Sequence, residues 1–303
     1  MKSVEERIKE FCIYHRDGDG ECNNVVLKAW AKKHCKSLQE LFELAYFFSI
    51  TYCCESASVL FLNKKQVFTH IHDWVAENKH SLVFQSDRKY IRMKDSFERC
   101  LTSFEKGDNV EQFLSKVTEN GIIRLGKAIP YVSSWELFGR FSAYLFLETF
   151  VELTGYPIEN TKMDWKANST ATSGLMNVFG LDNAASNWDK HRKLGVPVEK
   201  LDLMLSKLQA EIAKTGGSTN VTEIETSLCA YRKFYKGSRY NGYYLDRMLE
   251  EIYTMQKDYP EISSELFEIR RQHFPQKYLG ELSGWRGVRP RLKKMYKETG
   301  IVT

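Results

Sequence analysis

Thr222–Arg247, TEIETSLCAYRKFYKGSRYNGYYLDR, packs acids, bases and aromatics more densely than the rest of the chain. Its opening reads as a helix. Thr222 with Glu225 three residues on fits a capping box, and Ile224, Leu228, Tyr231 and Tyr235 share one face. Gly237 ends that helix. A second helical pattern starts near Asn241 and carries Leu245, Met248, Leu249, Ile252 and Met255. The unit is a helix, a tight basic loop and a helix.

Arg232, Lys233, Lys236, Arg239 and Arg247 are interleaved there with Tyr231, Phe234, Tyr235, Tyr240, Tyr243 and Tyr244. Cations bind phosphate oxygens and aromatic faces accept unstacked bases, so the mixture suits nucleic acid from which a base is drawn out. A helical hairpin with half-buried tyrosines and solvated lysines has the same composition.

Outward from this hairpin the pattern stays helical. Pro197 opens a helix on Leu201, Met204, Leu205, Leu208 and Ile212, closed by Gly216-Gly217, and Pro260 and Pro275 bound another. Asn160–Asn187 is the least regular region, with a short helix near Leu175–Phe179. Upstream, Ser133 with Glu136 predicts the start of an apolar helix ending at Gly155 and Pro157, and Ser37 with Glu40 predicts the start of another. The run from Leu41 to Leu62 is apolar almost all round, interrupted by Glu43 and Glu55, and reads as one buried core helix rather than a membrane span. Residues 3–16 form an amphipathic helix broken at Asp17-Gly18-Asp19-Gly20, a solvated turn without the ligand spacing of a calcium loop.

The expected fold class is therefore mainly α, a single multi-helix domain over 1–303, with an N-terminal subdomain 1–120 and a C-terminal subdomain 121–303 as its internal division. The one place for a small β-hairpin is 81–93, where LVF and YI alternate with basic residues.

A 303-residue chain can bury a large core, and its net charge of +5 permits an anionic partner without requiring one. Seven cysteines without regular spacing point to free thiols in a reducing cytoplasm, and MKSVEERIKEF is charged, unlike a signal peptide. No metal site is expected: paired CxxC motifs are absent, and His70-Ile71-His72 could bind metal only with partners from elsewhere, a plain surface pair being the simpler reading. GxxxxGK[ST], GxGxxG after a strand, GxSxG, HExxH and the zinc-deaminase motif are absent too, so no cofactor is expected.

Charges on apolar helix faces are the sharper signal, because a buried ion must be paired or change its protonation. Glu55 lies among Tyr52, Cys53, Cys54, Val59 and Leu60; Arg140 and Glu148 flank a run of phenylalanines; Glu225 and Arg232 lie two turns apart, with Cys229 between them. Structural ion pairs would look the same. The tail, GWRGVRPRLKKMYKETG, carries Arg289 and Arg291 and, together with the loop at Lys236 and Arg239, makes the chain's principal basic region.

Three segments, AYFFSITYCCESA, PYVSSWELFGRFSAYLFLE and ETSLCAYRKFYKGSRYNGYYLDR, carry a resemblance to the phage amino acid:DNA transferases, the α-glutamyl/putrescinyl-thymine pyrophosphorylase group, over most of the chain. The resemblance implies an all-helical fold, distantly like the helix-hairpin-helix DNA glycosylases, although LGKAIPYVSS lacks that motif's paired glycines. It also implies thymine hypermodification in the cytoplasm of an infected bacterium. A kinase pyrophosphorylates 5-hydroxymethyluracil in DNA, and the transferase replaces pyrophosphate with an amine such as glycine, another amino acid or putrescine.

On that reading Glu55, Glu148 and Glu225 are the candidate bases. Arg140, Arg232, Lys236, Arg239, Arg247, Arg289 and Arg291 are candidates for phosphate and DNA, and Trp165, Tyr243 and Tyr244 for stacking the base. Pyrophosphate departure followed by amine addition is the expected order, with direct displacement open. Two other classes stay open: a helical glycosylase or lyase using Asp189 or Asp246, and a DNA-binding protein without catalysis.

Overall fold

The computed structural model describes residues 2–17, 22–85, 88–159, 163–166, 168–240 and 242–274. Arg289 and Arg291, and most of the Asp17–Gly20 turn, lie outside them. Among the described residues the chain is mainly α. The helices run α1 Val4–Arg16, α2 Cys22–His34, α3 Leu38–Thr51, α4 Cys54–Leu62, α5 Lys64–Thr69, α6 Ile71–Asn78, α7 Lys94–Glu105 and α8 Val110–Val117. After a short hairpin they continue as α9 Leu125–Ser133, α10 Arg140–Thr154, α11 Ser169–Val178, α12 Asp182–His191 and α13 Val198–Lys214. The last three are α14 Val221–Tyr235, α15 Tyr243–Met255 and α16 Pro260–His273. No helix among the described residues is long and apolar enough to cross a membrane.

Several expected boundaries move, each for a local reason. Both helices of the central stretch form, but Asn220 caps α14, its side chain accepting from the Thr222 N–H, so the helix starts before the expected Thr222 cap. Ser133 ends α9 instead of capping a helix; residues 134–139 turn, with Leu137 at φ 59°, and α10 begins after Gly139. Gly155, at φ 69°, ends α10 as expected. The irregular region after 160 contains two helices, α11 and α12. The described part of 81–93 holds a 3-10 turn and further turns rather than a hairpin. The two-stranded antiparallel sheet lies instead at β1 Thr118–Glu119 and β2 Ile122–Ile123, where Asn120 and Gly121, both at positive φ, supply the two-residue turn.

The chain divides into two compact units, each assembled from separated segments. The first holds α1, α11–α14 and the start of α15 as far as Asp246. Its core includes Phe11, Trp188, Leu208, Ile224 and Tyr231. Phe11 and Tyr231 meet edge to face at 5.3 Å. Gly174 lets α11 approach α14 closely: a Cβ there would stand 2.4 Å from the Leu228 carbonyl oxygen.

The second unit holds α2 from Asn23 through α10, the rest of α15 from Arg247, and α16. Its centre is an aromatic cluster between α3, α8 and α10, in which Phe42 meets Phe146 at 5.5 Å and Phe113 meets Phe150 at 5.6 Å, both near-perpendicular.

Candidate acid-pair site

The apolar run expected to be a single core helix is two helices, and the interruption makes the site. α3 stops at Tyr52, which adopts the left-handed conformation (φ 55°, ψ 38°). No glycine or proline marks the break. Thr51 helps hold it, its hydroxyl donating to the Phe47 carbonyl at 2.8 Å and reaching the Cys53 carbonyl at 3.3 Å. A tyrosine in this region is sterically unfavourable, and such residues concentrate at functional sites. Cys53 then caps α4 in extended geometry, and Glu55 falls in that helix's first turn.

Glu55 is wholly buried, and α15 brings Glu251 beside it. Among the described residues, Cys53 Sγ and a carboxylate oxygen from each glutamate form the one cluster of metal-ligating groups, all within 4.8 Å of one another. The Cys53 thiol donates to Glu55 Oε2 at 3.3 Å. Glu251 Oε1 accepts from Gln85 Nε2 at 2.9 Å and from Arg247 Nε at 3.2 Å. Arg247 also lies over the Tyr52 ring at 5.8 Å, and Arg88 lies over the same ring at 5.7 Å and over Phe141 at 4.8 Å. Aromatic rings flank this arrangement: Phe141 is 52% exposed and meets Tyr52 at 6.0 Å.

Burial sets the electrostatics. It pushes the Glu55 carboxyl up to about 8, and the Glu251 charge pushes the same way, outweighing the hydrogen bonds at Glu55. Burial likewise lifts Glu251 to about 7 against the pull of Arg247 and Gln85. Two carboxyls this close resist carrying two charges, so at neutral pH the pair holds a proton in common. The Cys53 thiol is driven well above its ordinary range by burial first and by Glu55 next, so it remains a protonated donor. A pair that takes up and returns a proton near neutrality is equipped for general acid–base work.

The other expected site residues fall in several places. Glu148 is buried in the second unit and accepts from Asn24 Nδ2 at 3.2 Å, while Thr149 donates to the same asparagine. Glu225 is half-buried in the first unit and accepts from the Cys229 thiol at 3.3 Å. Arg140 opens α10 and reaches the Tyr144 hydroxyl at 3.3 Å. Arg232 pairs with Asp189 at 2.7 Å and Lys236 joins them. Arg239 stacks over Tyr243 at 4.1 Å and Tyr244 at 5.0 Å, and both tyrosines are half-buried. Asp246 is buried and accepts from the Tyr240 hydroxyl. Trp165 is a core residue with 2% exposure, its indole N–H donating to Asp202 at 2.7 Å, so it offers no open face to a base.

Glu251, Gln85, Arg88 and Phe141 were not among the residues the sequence singled out. Only the helical register of Arg247 with Glu251, one turn apart, could have suggested that a cation in α15 serves an acid in the same helix.

These features define a mainly helical protein whose second unit holds a buried carboxyl pair. The model of the amino acid:DNA transferase family matches residues 55–240, and the chain belongs to that family. It is also similar to a curated relative, the serinyltransferase of Salmonella phage ViI, with 25% identity over 243 residues. That similarity covers 71% of this chain and 57% of the relative's length. The family match contains Glu55, Gln85, Arg88, Phe141 and Arg239, while Arg247 and Glu251 follow it.

Proposed function

We propose that this protein transfers an amino acid, through its amino group, to a modified pyrimidine in DNA, with pyrophosphorylated 5-hydroxymethyluracil as the acceptor. The family and the relative's name support amino acid transfer. The observation that carries the chemistry is the Glu55–Glu251 pair, which is buried and raised toward neutrality.

An amino acid reaches the site as an ammonium and must lose a proton before its nitrogen can attack, and a carboxylate of the pair accepts it. The C–O bond to pyrophosphate breaks with both electrons leaving on pyrophosphate. The amine lone pair then forms the N–C bond to the electron-poor exocyclic methylene, and the nitrogen's surplus proton leaves on the departing pyrophosphate. Arg140, Arg239 and Arg247 are the described cations we assign to phosphate charge in DNA or in the leaving group, and Tyr243 and Tyr244 to contact with bases. A DNA kinase acting on hydroxymethyluracil would supply the acceptor.

Nucleoside mass spectrometry tests the reading. Pyrophosphorylated hydroxymethyluracil DNA is incubated with the protein and a mixture of amino acids and polyamines. One modified nucleoside heavier by a single amino acid is expected, with pyrophosphate released in equal amount. DNA retained without a mass change would indicate a binding protein, and abasic sites would indicate a glycosylase.

A further inference from the structure

Three buried acceptor atoms around the acid pair receive no hydrogen bond: Glu55 Oε1, Glu251 Oε2 and Gln85 Oε1. Each belongs to a side chain whose other polar atom is already fixed. Glu55 Oε2 takes the Cys53 thiol, Glu251 Oε1 takes Gln85 and Arg247, and Gln85 spends its Nε2 on Glu251. Those bonds set the rotamers and the amide orientation, leaving an unanswered acceptor on each of three neighbouring side chains. Native interiors rarely leave such atoms unmatched, so the set calls for a ligand made of donors.

A primary ammonium brings three N–H donors and no acceptor. We propose that Glu55 Oε1, Glu251 Oε2 and Gln85 Oε1 receive the three N–H groups of a primary ammonium, that of the amino-acid donor. The donor's identity rests on the functional reading above; the three-acceptor cradle does not. Charge favours this occupant over a metal. Glu55, Glu251 and neighbouring Glu250 against Arg247, Arg88 and one ammonium sum to zero, whereas a divalent ion would leave a buried positive charge beside Arg247.

Two consequences follow. Entry of the ammonium requires both carboxylates to ionise, so binding expels the proton the pair holds. Amines with fewer N–H groups lose contacts one by one, and N,N,N-trimethylglycine loses all three.

The test is calorimetric titration of the full chain at pH 7 with glycine, L-serine and N,N,N-trimethylglycine, with and without duplex DNA, in two buffers of different ionisation enthalpy. Glycine or serine is expected to bind with release of about one proton, and the trimethyl compound is expected not to bind. Gln85→Leu is expected to weaken binding ~10-fold. Equal binding of the trimethyl compound, no proton release, displacement by Mn²⁺ or Zn²⁺, or no amino-acid binding under any of these conditions would overturn the proposal. Amine transfer in the mass-spectrometric assay alongside such a result would sink the cradle alone; intact ammonium binding without transfer would sink the reaction and leave the cradle standing.

Discussion

Asp189 in the first unit and Glu55 in the second are both acids set among helices, and they titrate in opposite directions. Burial tends to raise Asp189, but Arg232 and Lys236 outweigh it and hold the carboxyl below its ordinary value. Burial raises Glu55, and its charged neighbour is a second acid instead of a base. Asp182, held down by Asn177 and Arg7 against its own burial, repeats the first pattern. Full burial, reinforced at Glu55 by a second acid where Asp189 has cations, separates the poised pair from the structural ion pair.

The most severe way to break the contrast is Glu55→Gln. Amine transfer is expected to fall by ~10²- to 10⁴-fold in single-turnover assays, the usual range for losing a proton acceptor. The same change should raise the melting temperature at alkaline pH. A carboxyl whose folded value lies above its ordinary 4.5 favours the folded state most at low pH, and that advantage is lost as pH climbs toward about 8. Melting curves across pH 5 to 9 should therefore slope downward more steeply for the native protein than for the variant. Parallel curves would remove the buried-acid account.

Asp189→Asn probes the opposite member. Arg232 and Lys236 lose their charged partner, and stability should drop by ~1–3 kcal/mol at neutral pH while transfer stays near the native rate. Since Asp189 is depressed, its contribution is present above its ordinary 3.8 and disappears as pH falls below that value. Denaturant titrations at pH 7 and pH 3 should show the gap between the two proteins closing in acid. A large loss of transfer would mean that the ion pair has a further role.

The mildest effect is expected from Arg239→Ala, which removes a half-buried cation stacked on Tyr243 and Tyr244. DNA affinity should weaken a few-fold, with the slope of log affinity against log salt reduced by about 1. Unchanged salt dependence would take Arg239 away from the DNA.

Much of the helical layout was legible because periodicity and caps are local. Pro197 to Gly217, Gly155 and Pro260 mark their helices as the structure has them. Ser133 misled because a serine followed three residues later by glutamate fits a helix start equally well when the previous helix is ending. Glu55 stood out as a charge in an apolar run. Glu251 did not, because LDRMLEEIY offers several charges, and only tertiary packing decides which one is turned inward. The break at Tyr52 was invisible for a related reason: an unfavourable backbone conformation is held there by surroundings assembled from distant segments, with no glycine to announce it.

The two-residue junction at Tyr52 and Cys53 makes the second unit intolerant of changes in length at that point. One residue added or lost would turn α4 by about 100° and slide it by about 1.5 Å, carrying Glu55 away from Glu251. Substitutions along α4 could be absorbed by repacking, but a frame-preserving insertion of a single codon could not. Spacing, measured from the end of α3, is what heredity must transmit intact at this position.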